Sequence, residues 1–269
     1  MADDTSSTST TRGRYVWHEL MTPNPDAARD FYGKVVGWTT TKWDNSPIDY
    51  SMWMSDETPV GGLMQLTQAQ ADMGAPPNWL AYVEVPNVDD TIAKAQELGG
   101  SVIVPANTVP DVGRFAILRD PQGVAFAVIT SATPVGDESD PKPREFSWHE
   151  LVTTNADSAL SFYHDLFGWE TKGDFDMGDM GKYHMFGRDR FTYGGVMNKP
   201  ADVPASPYWL HYIAVADSAD AAAERAQQAG ATLVNGPMDV PGGDRIAVLS
   251  DPQGAMFAVH SKPATPAAQ

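Results

Sequence analysis

An internal repeat constrains this chain more than any other feature. Trp17 recurs as Trp148 and the Phe31-Tyr32 pair as Phe162-Tyr163, both 131 residues apart. Gly61-Gly62 returns as Gly194-Gly195 after 133 residues, Trp79-Leu80 as Trp209-Leu210 after 130, and "DPQG" from Asp120 as the same word from Asp251 after 131. Landmarks spread over a whole half, with spacings that wander by a few residues, signify a duplicated domain with small loop changes. Between the copies lies "SATPVGDESDPKPRE", rich in Pro, Ser and charge, the composition of a linker.

Each copy carries the same punctuation. A short strand ("YVWHELMT", "FSWHELVT") runs into Asn24-Pro25 or Asn155, residues suited to a helix N-terminus. The helix bears the Phe-Tyr pair and stops at Gly37 or Gly168, as helices commonly do. Beta-rich segments lead to "GGLM" or "GGVM", and a second strand ("WLAYVEV", "WLHYIAV") feeds a second helix. Further strands close the copy at "DPQGVAFAVI" and "DPQGAMFAVH". The order strand, helix, strands thus occurs twice per half, which predicts an α+β fold of four βαβββ modules.

Composition removes several function classes. Eighteen Lys and Arg against thirty-five Asp and Glu leave a formal charge of −17, which repels phosphate backbones and anionic lipid. Neither nucleic acid nor a membrane is an expected partner. The chain has no cysteine, so thiolate chemistry and disulfides are out, and a cytoplasmic location is the simplest expectation. The N-terminal "MADDTSSTSTTRGR" lacks the apolar stretch of a secretory signal and reads as a disordered leader.

The ordered set of words, a strand into a "FYxxxxGW" helix, a strand-helix unit ending in Gly and a closing "DPQG" strand, resembles the vicinal oxygen chelate superfamily of glyoxalases, bleomycin-resistance proteins and extradiol dioxygenases. It is most similar to the two-domain glyoxalase-like proteins of actinobacterial type. The resemblance implies curved mixed sheets around cavities. Taken with the repeat and the composition of the segments outside it, the expected organisation is a leader at 1–14, a glyoxalase-like domain at 15–130, a linker at 131–145, a second such domain at 146–261 and a tail at 262–269. In the superfamily a divalent metal is held by a His on one module's first strand, a His on the next module's first strand and a Glu on a closing strand.

Register tests whether that site survives, because a slip of one residue moves a strand side chain to the opposite face. Counting from the helix landmarks, the family ligand positions fall on Trp17, Leu80 and Ala127 in one half and on Trp148, Leu210 and Ala258 in the other. His18, His149 and His211 stand one residue off register, and His260 lies two residues past the closing position. No metal ligand and no cofactor is therefore expected, with a divalent metal at His149, His211 and His260 left open should a strand bulge restore them. Alternation in "WLAYVEV" sets Leu80, Tyr82 and Glu84 on one face, and Leu210 and Tyr212 follow in the second copy. In "WHEL" it sets Trp17, Glu19 and Met21 together, because an unpaired carboxylate pressed under a helix is costly; Trp148 and Glu150 match them.

The expected site therefore has Glu19 and Glu150 as general bases and Tyr82 and Tyr212 as hydrogen-bond donors. Its ligand-binding wall comprises Trp17, Met21, Leu80, Glu84, Arg114, Trp148, Leu210, Arg245 and Met256. The resemblance implies a glyoxalase-like enzyme, a lyase or isomerase, acting on a small carbonyl-containing or aromatic metabolite without the family metal. Two alternatives stay open: a non-catalytic protein that sequesters an antibiotic or metabolite, and a metal-dependent lyase or dioxygenase using His149 and His211. A small molecule is the expected partner, for a monomer or a homodimer.

Overall fold

The computed structural model describes residues 11–44, 46, 48–200 and 206–263. In the N-terminal half the first module runs β1 (Tyr15–Thr22), α1 (Pro25–Val35), β2 (Thr39–Lys42), β3 (Tyr50–Ser55) and β4 (Thr58–Gln65). A short α2 (Gln68–Asp72) leads to the second module, β5 (Asn78–Glu84), α3 (Val88–Glu97), β6 (Ser101–Val109), β7 (Gly113–Arg119) and β8 (Ala125–Ser131). The C-terminal half repeats this as β9 (Phe146–Thr153), α4 (Ala156–Phe167), β10 (Glu170–Asp176), β11 (Lys182–Arg188) and β12 (Phe191–Asn198). Its last module is β13 (Tyr208–Ala214), α5 (Ala219–Gln228), β14 (Thr232–Asp239), β15 (Arg245–Ser250) and β16 (Met256–Ser261). The four βαβββ modules predicted from the repeat are present.

Local chemistry explains the helix ends. Asn24 and Asn155 accept from the backbone N–H of Ala27 and Ser158, Asn87 from Asp89 and Asp90, and Ser218 from Ala221. Such side chains satisfy donors that the first turn leaves orphaned. Helix α4 ends on Gly168 at a φ of 76°, in the left-handed region where only glycine is unstrained.

Each half forms one eight-stranded sheet, in the order β2-β3-β4-β1-β5-β8-β7-β6 and, identically, β10-β11-β12-β9-β13-β16-β15-β14. The sheets are mixed, since β1 runs parallel to β4 and β5 parallel to β8, whereas the hairpins are antiparallel.

The halves do not coincide with the compact units. One unit comprises residues 1–17, 80–139 and 149–209; the other comprises 18–79, 140–148 and 210–269. Each unit therefore takes one helix-bearing module from each half. The first buries Val83, Leu118 and Phe126 of the N-terminal half with Leu151, Phe162, Phe167 and Phe186 of the C-terminal half. The second buries Leu20, Phe31, Tyr32 and Trp53 with Ile213, Leu249 and Phe257. Full burial of each such side chain stabilises by roughly 1.5–3 kcal/mol, so a core shared in this way ties the halves together.

The repeated words meet inside these cores. In the second unit Tyr32 Oη donates to Asp251 Oδ2 at 3.1 Å and receives the Trp79 indole N–H at 2.9 Å. In the first, Tyr163 Oη donates to Asp120 Oδ2 at 3.1 Å and receives the Trp209 indole N–H at 3.3 Å. The other oxygen of each aspartate accepts two backbone N–H groups of its own turn, from Gln122 and Val124 or from Gln253 and Ala255, all at 2.9 Å. The Tyr of "FY" in one half thus closes the "DPQG" turn of the other.

Residues 1–10 of the expected leader lie outside the described residues. Gly13 N–H donates to the Glu84 carbonyl and Glu84 N–H to the Arg14 carbonyl, so Thr11–Arg14 join the first unit. The segment between the halves is tied at both ends. Tyr193 Oη donates to Glu138 at 3.3 Å within the first unit, and the Trp38 indole donates to the Arg144 carbonyl at 2.8 Å within the second.

Candidate functional site

Strand alternation separates two kinds of face. Along β1 and β9, Leu20 and Leu151 enter the helix-packed cores, which leaves Glu19 and Glu150 on the other side of their strands. Glu150 lies opposite Gly195 of β12, and Met185 of β11 lies opposite Gly195 in turn. Gly195 has no room for a Cβ because the Tyr183 ring lies directly over it. The Tyr183 hydroxyl crosses that gap and donates to Glu150 Oε2 at 3.0 Å. Tyr208 stands close enough that the Glu150 charge, after burial, pushes its hydroxyl pKa up. Two phenols and a half-buried carboxylate therefore converge on one stretch of sheet.

The N-terminal copy repeats the register. Glu19 lies opposite Gly62, and Met52 of β3 opposite Gly62. Tyr50 matches Tyr183, each being paired with the Met two residues beyond the glycine. Asn78 occupies the position of Tyr208, and Glu19 is buried where Glu150 is half-buried. Tyr50, Tyr183 and Tyr208 were absent from the site expected from sequence. The signal was there: Tyr50 and Tyr183 share the 133-residue spacing of the glycine pairs.

The other expected residues fall into separate groups. Leu80 and Tyr82 form an apolar cluster with Ala127 and Ile129, against Trp17 and Phe115. Leu210 and Tyr212 are buried, with Tyr212 opposite Ala258. Met21 on β1 and Met256 on β16 are half-buried, as is Trp148. Glu84 accepts from the Ser131 hydroxyl at 2.6 Å and its backbone N–H at 3.1 Å, while burial pushes its pKa up. Arg114 forms a fork with Asp89, at 2.8 and 2.7 Å, and Arg245 pairs with Asp220 and, at 2.9 Å, Asp239. Both guanidiniums are exposed enough to screen these pairs.

The strand histidines sit with the cores. In the second unit His18 and His211 are buried, their rings edge to face at 5.4 Å between centroids, with Phe146 stacked on His18 at 3.7 Å. Burial pulls the His211 pKa down to about 3, and burial with the neighbouring His211 lowers that of His18 well below its ordinary value. Both imidazoles are neutral at pH 7. In the first unit His149 is buried against the Tyr15 ring at 3.7 Å. His260, farther along, bonds Ser147 at 3.0 Å and Asp244 at 2.8 Å.

A model of the glyoxalase/bleomycin resistance protein/dioxygenase superfamily matches residues 14–128 and again 146–259. The chain belongs to this superfamily. "Putative glyoxylase CFP32" of Mycobacterium bovis is 34% identical over 249 residues, covering 90% of this chain and 92% of its own. The "Anthracycline biosynthesis protein DnrV" of Streptomyces peucetius is 30% identical over 264 residues, 92% of each chain. In fold the chain is similar to the Mn(II)-bound glyoxalase from Novosphingobium aromaticivorans, with a TM-score of 0.64 at 17% identity, covering 94% of this chain and 82% of that one. It is likewise similar to the 2,3-dioxygenase LapB from Pseudomonas sp. KL28, with a TM-score of 0.65 at 14% identity and 97% of each chain covered.

The superfamily implies a divalent metal, and the positions to which counting from the helix landmarks assigns its ligands hold residues that do not fit one. Leu80 and Ala127 lie in an apolar cluster packed against Trp17, and Leu210 and Ala258 are fully enclosed. None offers a nitrogen or oxygen side-chain donor, and metal sites of this type need three or four. Donor chemistry is found instead within the second unit, where a ring nitrogen of buried His18 lies within 4.8 Å of one of buried His211. Among the described residues no helix is long and apolar enough to cross a membrane.

Proposed function

We propose that this chain is a glyoxalase-like enzyme that acts on a small carbonyl-containing or aromatic metabolite, with Glu150 and its counterpart Glu19 as general bases. The observation that carries the reading is the Glu150–Tyr183 hydrogen bond of 3.0 Å across Gly195. A carboxylate fixed in orientation by a phenol suits proton abstraction next to a carbonyl, and Tyr208 supplies a second donor toward developing negative charge. The relatives named putative glyoxylase and anthracycline biosynthesis protein support a small-molecule substrate of this kind. The apolar residues at the family ligand positions support chemistry that proceeds without a metal there.

The test incubates the full chain with a panel of aromatic ketones and 2-oxoaldehydes in deuterated water. A compound that raises the melting temperature is expected to gain deuterium next to its carbonyl, or to isomerise, by mass spectrometry. A compound that stabilises the protein and returns unchanged would make the chain a sequestering protein of the bleomycin-resistance kind.

A second reading, a metal-dependent lyase or dioxygenase, is favoured by one observation: the ring nitrogens of His18 and His211 lie within 4.8 Å of each other, and both rings are neutral donors. Metal analysis separates the readings. We expect less than about a tenth of an equivalent of zinc, nickel, iron or manganese per chain, given the donor number at the family positions; a full equivalent lost in His211→Gln would favour the metalloenzyme.

A further inference from the structure

We propose that Ser147, His260 and Asp244 form a separate reactive site in which Ser147 is a nucleophile toward small esters. Ser147 Oγ lies 3.0 Å from His260 Nδ1, and His260 Nε2 lies 2.8 Å from Asp244 Oδ2. With the carboxylate holding the proton on Nε2, Nδ1 is left to accept from the serine hydroxyl. That is the order nucleophile, base, orienting carboxylate on which activated serines depend, recognised by geometry and role rather than chain order. The hydroxyl has a weaker option, the Tyr212 carbonyl at 3.4 Å, so the imidazole is its better partner. The His260 side chain is 14% exposed and that of Asp244 35%, so the group is held by the fold yet open to solvent on one side.

The repeat argues against a purely structural role. At the equivalent positions, 131 residues earlier, the N-terminal copy has Val16, Ile129 and Gly113. That copy closes the same strands with two aliphatic side chains and a glycine backed tightly against the Thr130 carbonyl. All three positions are polar in the C-terminal copy, and with complementary chemistry.

The step balances without a metal or cofactor. Ser147 Oγ attacks the ester carbonyl carbon as its proton passes to His260 Nδ1. Collapse breaks the bond to the alkoxy oxygen, which leaves as the alcohol with that proton. Water then adds to the acyl-serine, gives a proton to the same nitrogen and releases the acid, restoring Ser147.

The experiment treats the full chain with a fluorophosphonate probe and maps the adduct by peptide mass spectrometry, alongside hydrolysis of p-nitrophenyl acetate. Phosphonylation at Ser147 is expected, absent in Ser147→Ala. In His260→Gln, which keeps hydrogen bonding but removes the base, labelling should slow about 100-fold or more, in line with the usual contribution of a general base. Glu150→Gln should leave labelling unchanged, which separates this site from the carboxylate site proposed above. An unmodified Ser147 in the wild-type chain overturns the proposal, and that result needs no variant to fold. Labelling of a folded His260→Gln chain at the wild-type rate overturns it equally.

Discussion

Two pairs of equivalent regions have diverged to very different degrees. The Asp120–Tyr163–Trp209 and Asp251–Tyr32–Trp79 chains match atom for atom: the same carboxylate oxygen takes the phenol, the same indole reaches the phenol and the other oxygen takes two turn amides. Val16, Ile129 and Gly113 share no chemistry with Ser147, His260 and Asp244. Between these extremes lie the carboxylate sites, where Glu19 and Glu150 agree but Asn78 stands at the position that Tyr208 holds in the other copy. A duplicated fold keeps in both copies what each copy must have to stand, and lets the copies part where standing does not depend on it. Burial accounts for the first group, because an unsatisfied buried carboxylate or phenol costs about 1–3 kcal/mol.

The sharpest way to break the comparison is to remove each aspartate. Asp251→Ala and Asp120→Ala each delete three accepted hydrogen bonds and leave the proton of a buried tyrosine hydroxyl without its acceptor. Each should lower stability by about 2–5 kcal/mol, read by denaturant unfolding. Values that differ by more than about 2 kcal/mol would mean that the two chains of bonds are alike only in geometry. Because Tyr32 and Asp251 belong to different halves, a double-mutant cycle with Tyr32→Phe should give a coupling of about 0.5–3 kcal/mol.

A somewhat smaller effect distinguishes β13 from β5, where His211 replaces Ala81. A histidine free in the unfolded chain titrates near 6.5, but burial holds His211 down to about 3 in the folded one. The unfolded state therefore binds the proton first. The stabilisation is whole above pH 6.5 and drains away as the pH falls toward 3. Between pH 6.5 and 4 this amounts to about 3 kcal/mol. His211→Gln should flatten the acid limb of the stability curve by that amount, measured by urea unfolding across the range. An unchanged slope would show that the ring is open to water when folded.

What could be read from the sequence follows the same division. The modules, the helix ends and the faces of β1, β5, β9 and β13 were legible because they rest on local rules: caps, glycines and a period of two. His18, His149 and His211 on the core-facing sides of their strands, and Leu80 on the opposite one, could be placed by alternation alone. The Tyr183–Glu150 bond could not, since it spans three strands and exists because Gly195 leaves a gap; spacing along one strand carries no trace of it. The exchange of modules between compact units was hidden for a related reason. Nothing local says whether Tyr32 meets Asp120 or Asp251, both of which stand in identical words. Ser147 was passed over because a serine beside "WHEL" is unremarkable until Asp244 and His260 are brought to it.

The smallest expected change in stability is the one that bears most on function. Glu150 is half-buried and accepts from Tyr183, so Glu150→Gln keeps the shape and an oxygen for that phenol while removing the charge. Its cost should stay below about 1 kcal/mol, as for most changes that leave packing and hydrogen bonding intact. Glu19→Gln belongs to the same experiment, since Glu19 keeps the register opposite Gly62 but lacks a tyrosine at the position of Tyr208. If the second phenol is what equips a carboxylate to act as a base, Glu150→Gln should abolish deuterium exchange into a bound ketone while Glu19→Gln leaves most of it. Equal losses would mean that the two copies work as equivalent sites despite Asn78. Loss in Glu19→Gln alone would move the chemistry to the N-terminal copy and leave Tyr208 a binding residue.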